Sequence, residues 1–213
     1  MRSRILVAAR ALVLDHGTTA FTMAELASAA DVALVTPYNY FDSKAGVLYA
    51  LLDLEGAQAQ AVERIADTPS AEGLDLTLAF GESRARRYLA DAPLYRPVFN
   101  GLFGLDPAAE DRGSQRSPWV QLWEQGLLLA SAAGDLAAGV ETAPVARSLH
   151  RQFNVLLRDW ALGHIEDQHF EPETRYATAL LLSAVVSEQL RPDWLARVID
   201  AQPGVGGFPP TPG

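Results

Sequence analysis

The run TPYNYFDSK places hydroxyls at Thr36, Tyr38 and Tyr40, a carboxamide at Asn39 and an ammonium at Lys44 within one short stretch. Hydroxyl and ammonium groups donate hydrogen bonds to phosphate oxygens, a carboxamide can pair with an adenine edge, and an apolar side chain can meet a thymine methyl. Leu34 and Val35 supply such side chains just before the run, and Thr22 adds a further hydroxyl upstream. The chemistry on offer is contact with a nucleic-acid duplex, with Thr22, Thr36, Tyr38, Tyr40 and Lys44 positioning on phosphate and Leu34, Val35 and Asn39 reading bases.

Residues of catalytic or metal-binding type gather once more, at His164, Glu166, Asp167 and His169. Five helical residues rotate the two imidazoles about 140° apart. Metal ligands must converge from fixed positions, so a solvated helix end accounts for this cluster better than a metal site. The chain has no Cys, hence no disulfide, thiolate site or thiol nucleophile. It also lacks a Gly-rich phosphate loop and a nucleophile motif. We expect no enzymatic activity, no metal and no cofactor.

The elements that must hold the first set of residues are legible. Thr22 and Glu25 form a Thr-x-x-Glu capping box, in which each side chain satisfies a backbone N–H of the first helical turn. This predicts a helix from about Met23, with Leu26, Ala27 and Ala30 on its apolar face. Asp31 marks the turn, because Asp tolerates a left-handed backbone. After Val32, expected to be buried, a second helix carries Leu34 to Phe41, and Asp42-Ser43 turn the chain into a third element at Lys44. Two short helices across a tight turn are the arrangement that presents a recognition helix to the major groove.

The same residues resemble the N-terminal domain of TetR-family transcriptional regulators. There the recognition helix reads roughly Thr, an apolar residue, Tyr, a variable residue, His or Tyr, Phe, a short turn and Lys. Thr36, Pro37, Tyr38, Asn39, Tyr40, Phe41 and Lys44 follow that order. Pro37 departs from the usual Leu or Ile. It has no N–H and fits only in the first turn of a helix, so the helix either begins late, near Leu34 or Val35, or opens with a loose turn.

Composition gives an ordinary globular chain: 213 residues, 49% apolar, 20% charged, formal charge −9. An acidic total opposes phosphate binding, but the acid is unevenly placed. Through Ala50, Arg2, Arg4, Arg10 and Lys44 balance Asp15, Glu25, Asp31 and Asp42, so the whole excess lies downstream. Arg10 interrupts the apolar run Ile5 to Leu14, which argues against a secretory signal. The run Ala177 to Val186 is too short to span a bilayer, so we expect a cytoplasmic protein without membrane contact.

Along the chain, Ile5, Ala9, Leu12 and Val13 define a first helix, about Ser3 to Asp15, closed by Gly17, and Phe21 can staple the next. The helix from Lys44 is expected to run to Asp67 before Thr68-Pro69. Further helices are expected after Ser70, around Leu94 to Phe103, from Ser117-Pro118 to Gly134, from Thr142 to Ile165, from Pro172 to Leu190 and around Trp194 to Ile199. Residues 104–117 read as a loop. We expect an all-α fold: a three-helix helix-turn-helix unit at 1–46, a helical ligand-binding and dimerisation bundle at 47–200, and a disordered Pro- and Gly-rich tail at 201–213.

Pockets between helices are mostly apolar with a few placed polar groups. Phe80, Tyr88, Tyr95, Phe99, Phe103, Trp119, Trp123, Phe153 and Trp160, with the charge of Arg84, are the candidates to line one. Aromatics at helical spacing also fill plain cores, and the sequence leaves that alternative open. The family resemblance implies a homodimer joined through two late helices, Thr142 to Ile165 and Pro172 to Arg191, binding operator DNA and released by a small apolar effector. The competing expectation is a helical ligand sensor or carrier whose helix-turn-helix serves as a protein contact.

Overall fold

Helical periodicity throughout the chain calls for an all-α architecture. The computed structural model, which describes residues 1–52, 73–105 and 118–206, has it. The helices are α1 (Arg2–His16), α2 (Met23–Ala29), α3 (Val35–Phe41), α4 (Lys44–Leu51), α5 (Gly73–Leu89), α6 (Ala92–Leu105), α7 (Pro118–Ala133), α8 (Thr142–Leu162), α9 (Asp167–Ser183) and α10 (Arg191–Ala201). A 3₁₀ turn, Gln202–Gly204, follows. Extended pairing among the described residues is limited to one bridge, Leu136 with Val186.

The first four helices follow their local signals. α1 buries Ile5, Ala8, Ala9 and Val13 and ends at Gly17, whose φ of 63° is the left-handed cap that glycine adopts at least cost. At α2 the capping box is complete: Glu25 N–H donates to Thr22 Oγ1 at 3.1 Å, and Thr22 N–H donates to Glu25 Oε2 at 2.6 Å. Phe21 is buried beside it. Asp31 takes φ 49°, and Val32, expected inside, is only half-buried at the turn. α4 starts at a cap in which Ser43 Oγ accepts from Gly46 N–H at 3.1 Å. A Cβ at Gly46 would overlap the Phe41 carbonyl, so glycine lets α4 close against the end of α3.

In the body, α5 packs on α7 and α9, α8 packs on α6, α7 and α9, and α10 covers α9. α6 also packs on α1 and α4. The buried side chains form one contiguous cluster from Ile5 to Val198.

Several boundaries differ from expectation. α6 continues through Gly104 to Leu105. α8 stops at Gly163, φ 83°, rather than at Ile165. α9 opens at Asp167, so Pro172 lies inside it and not at its start. The hydrogen bond that Pro172 forfeits would go to the carbonyl of Gln168, an exposed residue whose oxygen water can serve. α9 also ends early, at Ser183, because the chain beyond it pairs elsewhere: Ala137 N–H donates to Val185 O at 2.9 Å and Ser187 N–H to Asp135 O at 2.7 Å. The start of the tail, expected to lack order, instead folds back on α9, with Gly204 against Pro172 and His169 Nδ1 3.2 Å from Gly204 O. The expected continuation of α4 to Asp67, the Ser70 and Ser117 caps, and residues 106–117 of the expected loop lie outside the described residues.

Candidate nucleic-acid interface and ligand core

α3 sorts its residues by face. Pro37 and Phe41 are buried, whereas Leu34, Val35, Tyr38, Asn39 and Tyr40 are exposed and Thr36 is half-exposed. Leu34 and Val35, at 56% and 58% exposure, do not fill the small core, the alternative use of apolar side chains at these positions. Pro37 is the third residue of a helix that begins at Val35. There its missing N–H falls among those that a first turn leaves unpaired in any case, and its ring packs inward. The late start is therefore the one adopted, and the turn before it is closed by Thr36 N–H donating to Ala33 O at 2.8 Å.

The flanking cations sit at the ends of this face. Lys44 is half-buried, its ammonium 4.8 Å from the Phe21 ring centroid, and burial lowers its pKa against the opposing pull of Glu25. Glu25 itself is held below the usual carboxylate range by the Thr22 backbone N–H and hydroxyl. Arg2 lies over Phe41 at 5.5 Å, and Arg4 Nη2 donates to Asp31 O at 2.7 Å, tying α1 to the turn between α2 and α3. Thr22 is exposed at the start of α2.

The aromatic candidates form two clusters that meet where Phe153 lies 6.0 Å from Phe170. The first surrounds Arg84, which is 4% exposed. Its guanidinium carbon lies 3.9 Å from the Phe153 centroid, 4.6 Å from Trp119 and 5.9 Å from Phe80. Phe80 meets Trp123 edge-on at 4.8 Å. Tyr88 joins this group to Tyr95 at 5.3 Å and Phe99 at 4.9 Å, and Phe103, half-buried, stacks on Phe99 at 6.0 Å. Trp160 belongs to the second group, stacked on Phe170 at 5.0 Å with its Nε1 donating to Asp167 Oδ1 at 2.8 Å.

His150, absent from the expected set, is buried on the same face of α8 as Phe153. Its Nε2 lies 3.2 Å from Asn154 Nδ2 and so accepts, leaving the ring proton on Nδ1. Burial, then the charges of Arg84 and Arg151, push the imidazole down to about 3. The sequence signal was available in its place between Leu149 and Phe153 on an apolar stripe. Arg84 is also disfavoured as a cation by burial, opposed by its contact with Tyr88. Arg84 Nε and Nη1, Trp123 Nε1 and His150 Nδ1 are all buried without a hydrogen-bond partner among the described residues.

α6 connects this core to the helix-turn-helix. Tyr95, Val98, Phe99 and Leu102 face inward, Gly101 abuts Thr19 in the α1–α2 loop, and Arg10 of α1 pairs with Asp91, just before α6, at 2.7 Å. A groove of about 470 Å³ opens beside the junction, lined by residues that include Leu14, Pro93, Pro97 and Asn100.

The histidine cluster spans the turn between α8 and α9. His164 Nδ1 is 3.5 Å from Asp159 Oδ1, while His169 turns to Gly204. No group of three or more potential ligands among the described residues could hold a metal ion. No described helix is long and apolar enough to cross a membrane.

Residues 5–51 match the family model of the bacterial regulatory proteins, tetR family. No curated protein matches the sequence. Among solved structures, the chain is similar to SmeT, the repressor of the Stenotrophomonas maltophilia multidrug efflux pump SmeDEF, with TM-score 0.66 and 21% identity over 88% of this chain and 91% of that one. SmeT in complex with triclosan gives 0.64 and 22% over 88% and 92%. A TetR transcription regulator from Haloarcula marismortui gives 0.63 and 16% over 87% and 98%, and a gamma-butyrolactone receptor 0.56 and 16% over 95% and 96%. Residues 5–51 thus carry a helix-turn-helix of the tetR type, and the helical body shares the fold of these solved structures.

Proposed function

We propose that the chain is a ligand-responsive repressor that binds a near-palindromic operator as a homodimer and is released by a small, largely apolar ligand held in the helical body. The carrying observation is the outward face of α3, where Leu34, Val35, Tyr38, Asn39 and Tyr40 are exposed over a core closed by Pro37 and Phe41. Thr22, Thr36, Tyr38, Tyr40 and Lys44 contact phosphate in this reading, and Leu34, Val35 and Asn39 read base edges. SmeT is a repressor and forms a complex with triclosan, and a further structure of this fold is a gamma-butyrolactone receptor, all in keeping with this reading.

Dimerisation is assigned to α8 and α9. α5, α8 and α10 already cover α9, leaving Leu180 exposed on it and Ala184 exposed just past its end, and Val155 and Leu162 are exposed on α8. Two-fold symmetry then places two α3 helices on half-sites about one helical turn apart. Ligand binding between α5, α6, α7 and α8 would move α6 and, through Gly101 and Arg10, the helix-turn-helix. Only a ligand with different affinities for the two geometries can drive that shift, and operator must weaken ligand binding by the same factor.

The rival reading, a sensor whose helix-turn-helix binds protein instead, draws on the absence of Arg and Lys from α3. Selection from a random duplex pool separates the two. A near-palindromic consensus with a finite salt slope, lost in Tyr38→Phe plus Lys44→Ala, supports the repressor. No enrichment with the ligand-free protein favours the rival.

A further inference from the structure

The guanidinium of Arg84 is buried in an aromatic cage, yet Nε and Nη1 have no hydrogen-bond partner among the described residues. Among the described residues, the carboxylates where α5 meets α9 are engaged elsewhere. Glu82, two residues away, accepts from Arg175 Nε at 2.5 Å, and Glu171 accepts from Arg86 Nη1 at 2.8 Å. Apart from its contact with the Tyr88 side chain, Arg84 meets ring faces, which attract a cation but offer it no acceptor in the guanidinium plane. A buried charge without a counter-ion is among the least favourable arrangements in a fold.

The other unsatisfied groups of this core have the same polarity. Trp123 Nε1 is a donor, and so is His150 Nδ1 in the tautomer that Asn154 selects. They stand on α7 and α8, both packed around the core that also holds α5. Donors on three neighbouring helices call for an acceptor-rich guest.

We propose that Arg84 is the anion-binding centre of the ligand site, and that the ligand is an apolar acid whose carboxylate pairs with this guanidinium while its body lies among Phe80, Tyr88, Trp119 and Phe153. The assignment rests on the ligand-responsive reading of the same core and narrows its ligand to one class. A carboxylate matches the guanidinium fork in two parallel hydrogen bonds. One cation among aromatic walls balances a monoanion; a phosphate dianion would leave a charge uncompensated. Trp119 and Phe153 shield the pair from water, which strengthens it.

The test uses the purified full chain with four probes: decanoate and 2-naphthoate, and their neutral counterparts decanol and 2-naphthamide. Tryptophan fluorescence and the thermal midpoint report binding. Each acid should bind at least tenfold tighter than its counterpart. Arg84→Met should abolish that preference and raise the midpoint of the free protein, since it removes an unpaired buried charge at similar volume. A structural arginine would give the opposite midpoint shift. Arg84→Lys, which keeps the charge without the fork, should retain part of the preference. Equal binding of acid and neutral probes, an acid preference that survives Arg84→Met, or no binding by any of the four overturns the proposal. Gel shifts on the selected duplex separate it from the parent reading. Release by decanol as readily as by decanoate keeps the repressor and removes the anion site. Acid discrimination through Arg84 in a protein that selects no duplex does the reverse.

Discussion

Gly101 of α6 lies so close to Thr19, in the loop between α1 and α2, that a Cβ at position 101 would overlap the Thr19 hydroxyl. The helical body and the helix-turn-helix are thus in steric contact through the Thr19 side chain. Gly101→Ala should destabilise the chain by about 1–3 kcal/mol through overpacking. Operator affinity should shift at the same time, because α1 is displaced. Thr19→Ala in the same chain removes the hydroxyl and should recover most of both losses. Urea unfolding of the single and double variants measures the coupling; additive effects would mean that the two residues are not in contact in solution.

Much of this junction was legible in the sequence, though not its meeting point. The capping box at Thr22, the turn at Asp31 and the periodicity of α1 are local, so their residue types alone dictate the outcome. Gly101 inside an apolar helical pattern was a sign of close approach, but what approached it lies far back in the chain. Pro172 misled the reading of α9, because a proline tolerated one turn into a helix looks the same in sequence as a proline that begins one. Burial of Arg84 was equally invisible: its neighbours Phe80 and Tyr88 are local, whereas Trp119 and Phe153 arrive from α7 and α8.

Asp167 ties the α8–α9 corner together by accepting from Trp160 Nε1 and from Arg96 Nη2, each at 2.8 Å. Burial alone would raise its pKa; the hydrogen bonds and the charge of Arg96 outweigh it and hold the carboxyl below its ordinary value. A depressed carboxylate contributes stability above its ordinary pKa, and that contribution is lost as pH falls through the folded value. The side chain is 59% exposed, so screening keeps the ionic part small. The larger effect should come from the buried indole. Asp167→Ala leaves Trp160 Nε1 without an acceptor and should cost about 1–3 kcal/mol. Asp167→Asn keeps an acceptor and should cost less, as chemical denaturation at neutral pH will measure.

His150 makes the body acid-sensitive. Its pKa falls from the ordinary 6.5 to about 3 in the folded chain, first because it is buried and then because Arg84 and Arg151 repel its charged form. The unfolded chain therefore takes up a proton that the folded chain refuses. The contribution is fully present above 6.5 and declines as pH falls from there toward 3, at roughly 1.4 kcal/mol per pH unit. His150→Gln should flatten this slope between pH 6.5 and 4 while leaving stability at pH 7.5 within about 1.5 kcal/mol of the parent. Urea midpoints at four pH values decide it, and an unchanged slope would mean that the imidazole is protonated in the folded state.

Pro37 occupies the third position of α3, where no intrahelical hydrogen bond is forfeited, and its ring is buried. Its fixed φ already suits the helix, so it reduces the entropy of the unfolded chain at no cost to the folded one. Pro37→Ala should then destabilise the helix-turn-helix by about 1–2 kcal/mol, from restored unfolded-state freedom and lost ring burial. The exposed side chains at Leu34, Val35 and Asn39 stay where they are, so the duplexes selected should be the same ones. A changed consensus would show instead that proline sets the angle of α3 in the groove. Thermal melting and duplex selection on one protein preparation distinguish a residue that stabilises the reading helix from one that aims it.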